Sequence, residues 1–398
     1  MEKTLIYPTN QKKIYSEIKT KEFISIIFIV FFILLEYFEP LNFLDKLYFK
    51  HILALIYIIF LGFNTLKKSN IKYLKYIVFL SLILLIISFF TQLLNNSFGM
   101  HTIRELYFLI VPIFFSSIFI TKVENFDRYI YAIFFTTIFC FIYSFASSGK
   151  LTFDNIKLML NIFDNLINSN TVIESNMGQY FFLFSFYFFY RKKYFSGLVS
   201  TFLVFICAKR ISMIFVLLFI PFFLYSNHCK KTNKLNNKKL VQFLLFAFFV
   251  AITLVINNLY SDSSFAQYFY QKTGLNLTTF TMSRDQIYSL ATTSTIKYYG
   301  LGGTTQILEY YNYSGMTNLH NDLLMIFLDC GIIGLISFAY VFIYKMPKNI
   351  YSLFLITFCL FELLSAHYLG RGGLVFWTIL YSLLLYFNKM EIKSYGKH

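Results

Sequence analysis

The chain has 398 residues, of which 57% are hydrophobic and only 14% are charged, with a formal net charge of +16. Ordinary soluble domains carry about 25% charged residues, so this composition excludes a soluble globular domain and indicates a protein embedded in a bilayer. Sixteen glycines and five prolines exclude collagen-like and disordered architectures. The five cysteines include no CxxC pair, so neither a disulfide framework nor a zinc framework is predicted.

Twelve apolar runs predict an all-α polytopic membrane protein, because a helix needs about 20 apolar residues to cross the hydrocarbon layer. Lys209 and Arg210 interrupt an otherwise continuous stretch between the seventh and eighth runs, where we place a turn. The first run is too long for a signal-peptide core and lacks a cleavage site, so it is predicted to be a retained helix. The runs lie near 23–41, 47–66, 73–94, 103–120, 129–147, 173–190, 194–208, 211–226, 240–257, 319–344, 349–366 and 372–388.

The positions of lysine and arginine predict how these spans are oriented. If the spans alternate, 24 of the 35 basic residues lie on the side of the N-terminus and the remaining 11 on the opposite side. Cytoplasmic loops collect positive residues, so both termini are predicted to be cytoplasmic. The net charge is then a signal of topology, and no nucleic-acid partner is expected.

The predicted organisation places a large outward-facing loop late in the chain. Long loops without secondary structure of their own usually carry function, so this loop is the first place to look for chemistry. The order is a cytoplasmic segment 1–22, transmembrane helices 1–9 in 23–257, the large loop with a short amphipathic helix in 258–318, transmembrane helices 10–12 in 319–388, and a cytoplasmic tail 389–398.

Arginine is rare in this chain and concentrates on the predicted outer side. A chain that uses lysine for most of its positive charge is predicted to use arginine where a planar guanidinium binds phosphate or diphosphate in a bidentate way. The alternative is that these arginines snorkel, or pair with Glu105, Glu174 or Glu362. The four outer arginines among six are Arg104, Arg210, Arg284 and Arg371.

Segment 281–303 predicts a short helix within the large loop. Ser283 is a candidate N-cap, and glycines from Gly300 to Gly303 are predicted to end the helix. Ile287, Leu290 and Ala291 form a modest apolar face that suits a membrane interface.

Segment 317–334, TNLHNDLLMIFLDCGIIG, leads from the large loop into the tenth predicted span. Thr317 or Asn318 is the expected N-cap, which places His320 in the first helical turn, at the positive end of the helix dipole. That field disfavours the imidazolium, so a neutral ring able to accept a proton is expected. Gly331 is predicted to share the face of His320 and to admit a neighbouring helix or a lipid chain.

Other ionisable residues near this helix have weaker patterns. Asp329 lies inside the predicted span, where a carboxylate is either functional or a polar staple between helices. Three further histidines near the outer edge, His51, His101 and His367, are interpreted as interface residues. No HExxH or His/Asp spacing is present, so no metal site is predicted.

The stretch Ser283–Gly334 resembles the Wzy-type O-antigen and capsule polymerases of the O-antigen polymerase and ligase superfamily. In that superfamily an Arg-led amphipathic helix and a GxG-like turn precede a His-Asn pair that opens a membrane helix with a GxxG step. The corresponding elements here are SRDQIYSLA, GLGG, LHNDLL and DCGIIG. The resemblance covers roughly 50 residues, and the predicted span number and late outer loop agree with it.

The resemblance implies a GT-C-like membrane glycosyltransferase that uses no cofactor and no metal. It would act at the outward face of the bacterial cytoplasmic (inner) membrane and build a lipopolysaccharide or capsule glycan. Its implied partners are an undecaprenyl-diphosphate-linked oligosaccharide, membrane lipids and a chain-length regulator protein.

The resemblance also implies roles for particular residues. His320 matches the family histidine that engages the acceptor hydroxyl, as the catalytic residue. Arg284 matches the loop arginine, and Arg210 matches an arginine facing the diphosphate. Arg104 and Arg371 rest only on their outer placement. The residues expected to support the site are Asn321, Asp322, Gly331 and Gly334.

Among the activities compatible with these observations, we favour a polymerase that joins lipid-linked repeat units. A ligase that transfers the glycan to lipid A core differs only in its acceptor. A lipid-linked oligosaccharide flippase should show two similar halves and ionisable residues along a central cavity, which this sequence does not suggest. A purely structural membrane subunit would leave the outer arginines unexplained.

Overall fold

The structure is a computed structural model, and its described residues form helices with no strand among them. Their contacts divide the chain into two compact units, one formed by 1–70 and 114–217 and the other by 71–113 and 218–398. The described residues are 9–38, 41, 49–62, 68–95, 101–122, 125–150, 152–161, 174–232, 238–262, 264–274, 276–278, 284–293, 300–311, 319–369 and 373–395.

Each of the twelve predicted runs contains an α-helix. In chain order the helices are α1 (Thr9–Tyr37), α2 (Phe49–Gly62), α3 (Lys68–Leu94), α4 (His101–Lys122), α5 (Phe126–Ser147), α6 (Phe153–Leu160), α7 (Gly178–Tyr190), α8 (Tyr194–Ile206), α9 (Arg210–Thr232), α10 (Lys238–Ser261), α11 (Phe265–Thr273), α12 (Arg284–Thr293), α13 (Gly303–Tyr311), α14 (Asp322–Tyr340), α15 (Ile350–Leu363) and α16 (Gly373–Tyr395). A π-helical turn, Val341–Lys345, continues α14.

Within these described ranges, five helices are long and apolar enough to cross a membrane. They fit the predicted multi-pass membrane protein, and the total of twelve spans stays a prediction. The five are Ile71–Leu94, His101–Thr121, Phe126–Ser147, Lys238–Ser261 and Asp322–Lys345. Shorter apolar helices occur at Tyr194–Ile206, Arg210–Leu224, Ile350–Leu363 and Gly373–Lys389.

The first unit contains an antiparallel hairpin of α7 and α8. Ser200 Oγ donates a hydrogen bond to the carbonyl of Phe181 at 2.7 Å, and the hydroxyls of Ser185 and Thr201 lie 2.7 Å apart. Each helix has 13 residues, about 20 Å at 1.5 Å per residue, which is shorter than the roughly 30 Å of bilayer hydrocarbon. The predicted break at Lys209 is confirmed, because α8 ends at Ile206 and α9 begins at Arg210.

Aromatic packing fills the rest of the first unit. The hydroxyls of Tyr37 and Tyr180 are hydrogen-bonded, and Ser25 Oγ lies 2.7 Å from the hydroxyl of Tyr57. Nearly all of α7 is buried, as expected for a helix that is apolar on every side. These two pairs join hydroxyl groups inside the unit, as a dry environment favours.

The helix termini of the second unit gather at two opposite ends. Gln242 Nε2 of α10 donates to the carbonyl of Ile343 at 2.6 Å, and Lys238 Nζ to the carbonyl of Pro347 at 3.2 Å, so the start of α10 lies beside the end of α14. Lys348 Nζ lies over the ring of Tyr73, near the start of α3. We call this the lysine end, and its lysines are Lys72, Lys75, Lys238, Lys239, Lys345 and Lys348.

The opposite end of the second unit, here the site end, gathers the turn at 300–302 and the starts of α4, α14 and α16. Thr102 Oγ1 of α4 donates to the carbonyl of Leu301 at 2.8 Å, and Gln92 Nε2 of α3 donates to Thr102 Oγ1 at 2.9 Å. Trp377 Nε1 of α16 donates to the carbonyl of Tyr368 at 2.9 Å. These bonds fix the chain segments that surround the candidate site.

Candidate functional site

The start of α14 differs from the sequence prediction. Asn321 is the N-cap, and its Oδ1 accepts a hydrogen bond from the amide of Leu324 at 2.9 Å. The prediction that Thr317 or Asn318 caps this helix was therefore wrong, and His320 lies before the helix instead of in its first turn; positions 317 and 318 themselves fall outside the described residues. His320 has φ 54, a left-handed conformation that costs a non-glycine residue about 1–2 kcal/mol.

Gly331 breaks α14. Its φ of 66 and ψ of −169 are not helical, so the helix bends there and the predicted continuous face from His320 to Gly331 was wrong. The physical reason is that glycine tolerates this conformation, whereas other residues do not. Gly334 is buried after the bend, and a Cβ at that position would lie 2.4 Å from the Cβ of Cys330.

Asp322, the first residue of α14, holds the connection between α15 and α16. Its Oδ1 lies 2.6 Å from Nδ1 of His367, and its Oδ2 accepts hydrogen bonds from the amides of Tyr368 at 2.6 Å and Leu369 at 3.0 Å. Both side chains are buried, with exposed fractions of 0% for Asp322 and 7% for His367. The interpretation of His367 as an interface residue was therefore wrong.

The charge state of His367 is governed by its carboxylate neighbours. Burial lowers the pKa of His367, but the charge of Asp322 and the hydrogen bond to it, together with Glu105, raise this pKa above its ordinary value. The charge of Arg104 acts in the lowering direction. The Asp322 side chain therefore favours the protonated form of His367.

Arg104 pairs with its neighbour on α4. Its Nη2 lies 3.1 Å from Oε1 of Glu105, whose side chain is completely buried, whereas the Arg104 side chain is 41% exposed. For Arg104, this contact supports the alternative in which an outer arginine pairs with a glutamate instead of binding a phosphate. The other two carboxylates have different partners: Glu174 lies 3.5 Å from Lys209 Nζ, and Glu362 accepts a hydrogen bond from the hydroxyl of Tyr368 at 3.2 Å.

Helix α12, which begins at Arg284, contacts the backbone of His320 through Tyr288. The hydroxyl of Tyr288, one turn after Arg284, makes a long hydrogen bond of 3.4 Å to the carbonyl of His320. Burial raises the pKa of Tyr288 to about 12, although the charge of Arg284 acts to lower it. Tyr288 therefore keeps its proton at neutral pH and remains a donor to the backbone of His320.

The apolar face of α12 packs inside the protein. Ile287 and Ala291 are buried, at 0% and 4% exposure, so their predicted contact with the membrane interface was wrong, whereas Leu290 of the same predicted face is half-buried. The described part of α12 extends to Thr293, residues 294–299 lie outside the described residues, and Gly303 begins α13. Ser283 falls outside the described residues.

The GLGG turn is held by the buried carboxylate of Asp329. Its Oδ2 accepts a hydrogen bond from the amide of Gly302 at 2.7 Å, and its Oδ1 accepts from the amide and the hydroxyl of Thr304 at 2.7 and 2.5 Å. Leu301 is fixed from α3 by Ser88 Oγ, which accepts its amide at 2.8 Å. Of the two roles considered for Asp329, this geometry favours the polar staple, and the turn's donors already bind a carboxylate.

Of the sequence-predicted residues, Arg104, Arg284, His320, Asn321 and Asp322 thus lie at the site end of the second unit. Arg210 is a partly buried residue of the first unit at the start of α9. Arg371 lies outside the described residues. Within the described part of the chain, no three His, Cys, Asp or Glu side chains are grouped as metal ligands would be.

Sequence reasoning missed the pairing of His367 with Asp322 and the donor role of Tyr288. For His367 the sequence held a usable signal. This histidine lies in the short connection between two apolar runs, close in sequence to both Glu362 and Arg371, and an ionisable residue in that place is a candidate for an ion pair. No comparable signal marked Tyr288, since the chain contains 32 tyrosines.

Comparison of the chain with protein-family models, with curated proteins and with solved structures gives no match.

Proposed function

We propose that this chain is a membrane glycosyltransferase of GT-C-like architecture with about twelve spans, which polymerises a lipid-linked surface glycan. The observation that carries the proposal is the hydrogen bond from Tyr288, one turn after Arg284 on α12, to the backbone of His320, two residues before the Asp322 that pairs with buried His367. A base and a guanidinium are the minimal set for transferring a sugar from a diphosphate to a hydroxyl.

In the proposed reaction, a hydroxyl of one lipid-linked repeat attacks the anomeric carbon of a glycan chain on undecaprenyl diphosphate. The new carbon–oxygen bond forms as the bond from that carbon to the diphosphate oxygen breaks, and the electron pair leaves with the diphosphate. His320 takes the hydroxyl proton, a role that typically contributes about 10²–10⁴-fold. Attack opposite the leaving group inverts the anomeric centre.

Arg284 would stabilise the departing diphosphate as negative charge develops on it, through two parallel N–H···O bonds. Arg210 and Arg371 are further candidates for this role on sequence grounds alone. Arg104 already pairs with Glu105, so it is less suited to binding a diphosphate than to tuning the electrostatic environment of His367.

The distribution of charge in the second unit supports an outward-facing site. Six lysines lie at the lysine end, and cytoplasmic ends of membrane helices collect such residues. The site end would then face outward in the bacterial cytoplasmic membrane, where lipid-linked repeats are available after translocation. A ligase and a flippase are the alternatives that the following experiment separates.

The test is elongation by the purified full-length chain in liposomes, supplied with a repeat unit on undecaprenyl diphosphate and with lipid A core as a second acceptor, and read as a ladder on a gel. The exposure of a labelled repeat at each leaflet is measured in the same liposomes. Wild type should produce chains of several repeats, and His320→Asn should leave single repeats, because asparagine tolerates the left-handed backbone but cannot serve as the base. Arg284→Lys should lower elongation by removing the bidentate contact. The matched control Arg128→Lys, at an exposed site on α5, should be unaffected.

Three results would contradict the proposal. Full ladders from a well-folded His320→Asn variant would show that His320 is not the general base. Transfer only to lipid A core would indicate the ligase. Movement of the lipid-linked repeat between leaflets without any elongation would indicate the flippase.

A further inference from the structure

A cleft of about 430 Å³ opens beside α12, on the side away from the buried face of that helix. This volume lies within the range of about 300–1,000 Å³ typical of small-molecule sites. Its walls come from the end of α10, the start of α11 and the exposed side of α12. The side chains considered below include Tyr260, Asp262, Phe265, Asp285, Gln286 and Ser289.

The chemistry of this lining suits a polyhydroxylated ligand. Tyr260 and Phe265 provide aromatic surface, and their rings pack edge to face at 5.7 Å. Two carboxylates, one amide and the hydroxyls of Ser289 and Thr293 also line the cleft, so sugar hydroxyls would meet both acceptors and donors while the ring face lies on an aromatic side chain.

The charge of the lining is one-sided. Asp262 is exposed, whereas Asp285 is buried with its Oδ2 accepting a hydrogen bond from Thr278 Oγ1 at 2.8 Å. None of the described residues that line the cleft is a lysine or an arginine. A ligand with its own carboxylates would be repelled there, and one with amino groups would be attracted.

Two packed tyrosines lie between the cleft and the candidate site. The ring of Tyr260 packs edge to face on that of Tyr288 at 5.0 Å, and the Tyr288 hydroxyl reaches the carbonyl of His320. A sugar in the cleft would therefore lie one aromatic layer away from the helix start that carries His320.

We propose that this cleft binds the sugar of the acceptor repeat and selects neutral or amino-bearing glycans over acidic ones. The acceptor role rests on the function proposed above, whereas sugar binding and its charge selectivity follow from the lining alone.

The test is binding of soluble oligosaccharides to the full-length chain in nanodiscs, measured by titration calorimetry. The probes are N-acetylglucosamine oligomers, which are neutral, glucosamine oligomers, which carry amino groups, and galacturonate oligomers, which are acidic. The wild type should bind the first two at least about tenfold more tightly than the third.

Two substitutions should move this selectivity in opposite directions. Asp262→Asn keeps an acceptor for Ser264 and removes one charge, so it should narrow the preference against acidic oligomers. Gln286→Glu, at an exposed position of α12, should widen it. Asp154→Asn on α6 removes an exposed carboxylate outside the cleft lining and should change nothing.

Equal binding of all three probes, or selectivity unchanged in both cleft variants, would overturn the inference even if the chain elongates lipid-linked repeats. Selective binding by a chain that fails to elongate would overturn the acceptor role and the proposed function together, while the sugar cleft itself would stand. Elongation that is inhibited by the neutral oligomer in wild type and less so in Gln286→Ala would support both.

Discussion

The carboxylate of Asp322 and the imidazole of His367 are hydrogen-bonded at 2.6 Å across 45 residues of sequence. The same carboxylate also accepts the amides of Tyr368 and Leu369. One side chain therefore joins the start of α14, two residues after His320, to the connection between α15 and α16.

Replacing Asp322 by alanine should cost about 3–5 kcal/mol, because the change leaves a buried cation and two amides without their acceptor. The measurement is thermal unfolding of the protein in detergent, followed by intrinsic fluorescence. Asp154→Ala, at an exposed position on α6, should stay within about 0.5 kcal/mol of wild type. Equal losses of unfolding free energy in the two variants would show that the contacts of Asp322 with His367, Tyr368 and Leu369 contribute no particular stability.

Stability should depend on pH through His367. Because its pKa is raised on folding, the protonated form is favoured in the native state. This contribution is complete below the unfolded value of about 6.5 and is lost as the pH rises through the higher folded value. The difference in Tm between wild type and His367→Asn should therefore be largest near about pH 6 and shrink at alkaline pH. A difference in Tm that does not change with pH would contradict a raised pKa of His367 in the folded protein.

Gly302 should not accept a side chain. Its φ is +86, and a Cβ there would lie 2.7 Å from the Cβ of His101. Gly302→Ala should cost at least about 3 kcal/mol, since the strain of a positive φ of about 1–3 kcal/mol adds to the clash. Gly274→Ala has a similar φ of +69 but open space around it, so it isolates the strain. Similar unfolding free energies for the two variants would show that the clash is relieved.

His320→Gly should separate stability from activity. Glycine removes a left-handed strain of about 1–2 kcal/mol and increases the entropy of the unfolded chain by about 0.4–1 kcal/mol, so stability should stay within about 1 kcal/mol of wild type. Elongation should nevertheless be lost. Lys192→Gly, whose φ is 59 in the turn between α7 and α8, is the matched control and should keep full elongation. Activity in the His320 variant would exclude the ring from catalysis.

The helices inside the twelve apolar runs were predictable because long apolar segments are expected to be buried or membrane-embedded, whereas α6, α11 and α13 lie outside those runs and were not predicted. The start of α14 was not, since Thr317, Asn318 and Asn321 are all good N-caps and their intrinsic preferences differ little. The bend at Gly331 was also hidden, because glycine permits a helical and a left-handed backbone alike. The residues of the candidate site could be nominated one by one, but the bond from Asp322 to a histidine 45 positions away is a property of the tertiary packing alone.

Asp329 fills a socket of three donors, two backbone amides and one hydroxyl, inside the second unit. Truncating it to alanine would leave that socket vacant and attractive to any small carboxylate that fits the space. Formate added from solution should therefore chemically rescue the Asp329→Ala protein, restoring much of its lost melting temperature, while bulkier benzoate should not. The GLGG turn would then be shown to need a negative charge in that place, whether or not the charge belongs to the chain.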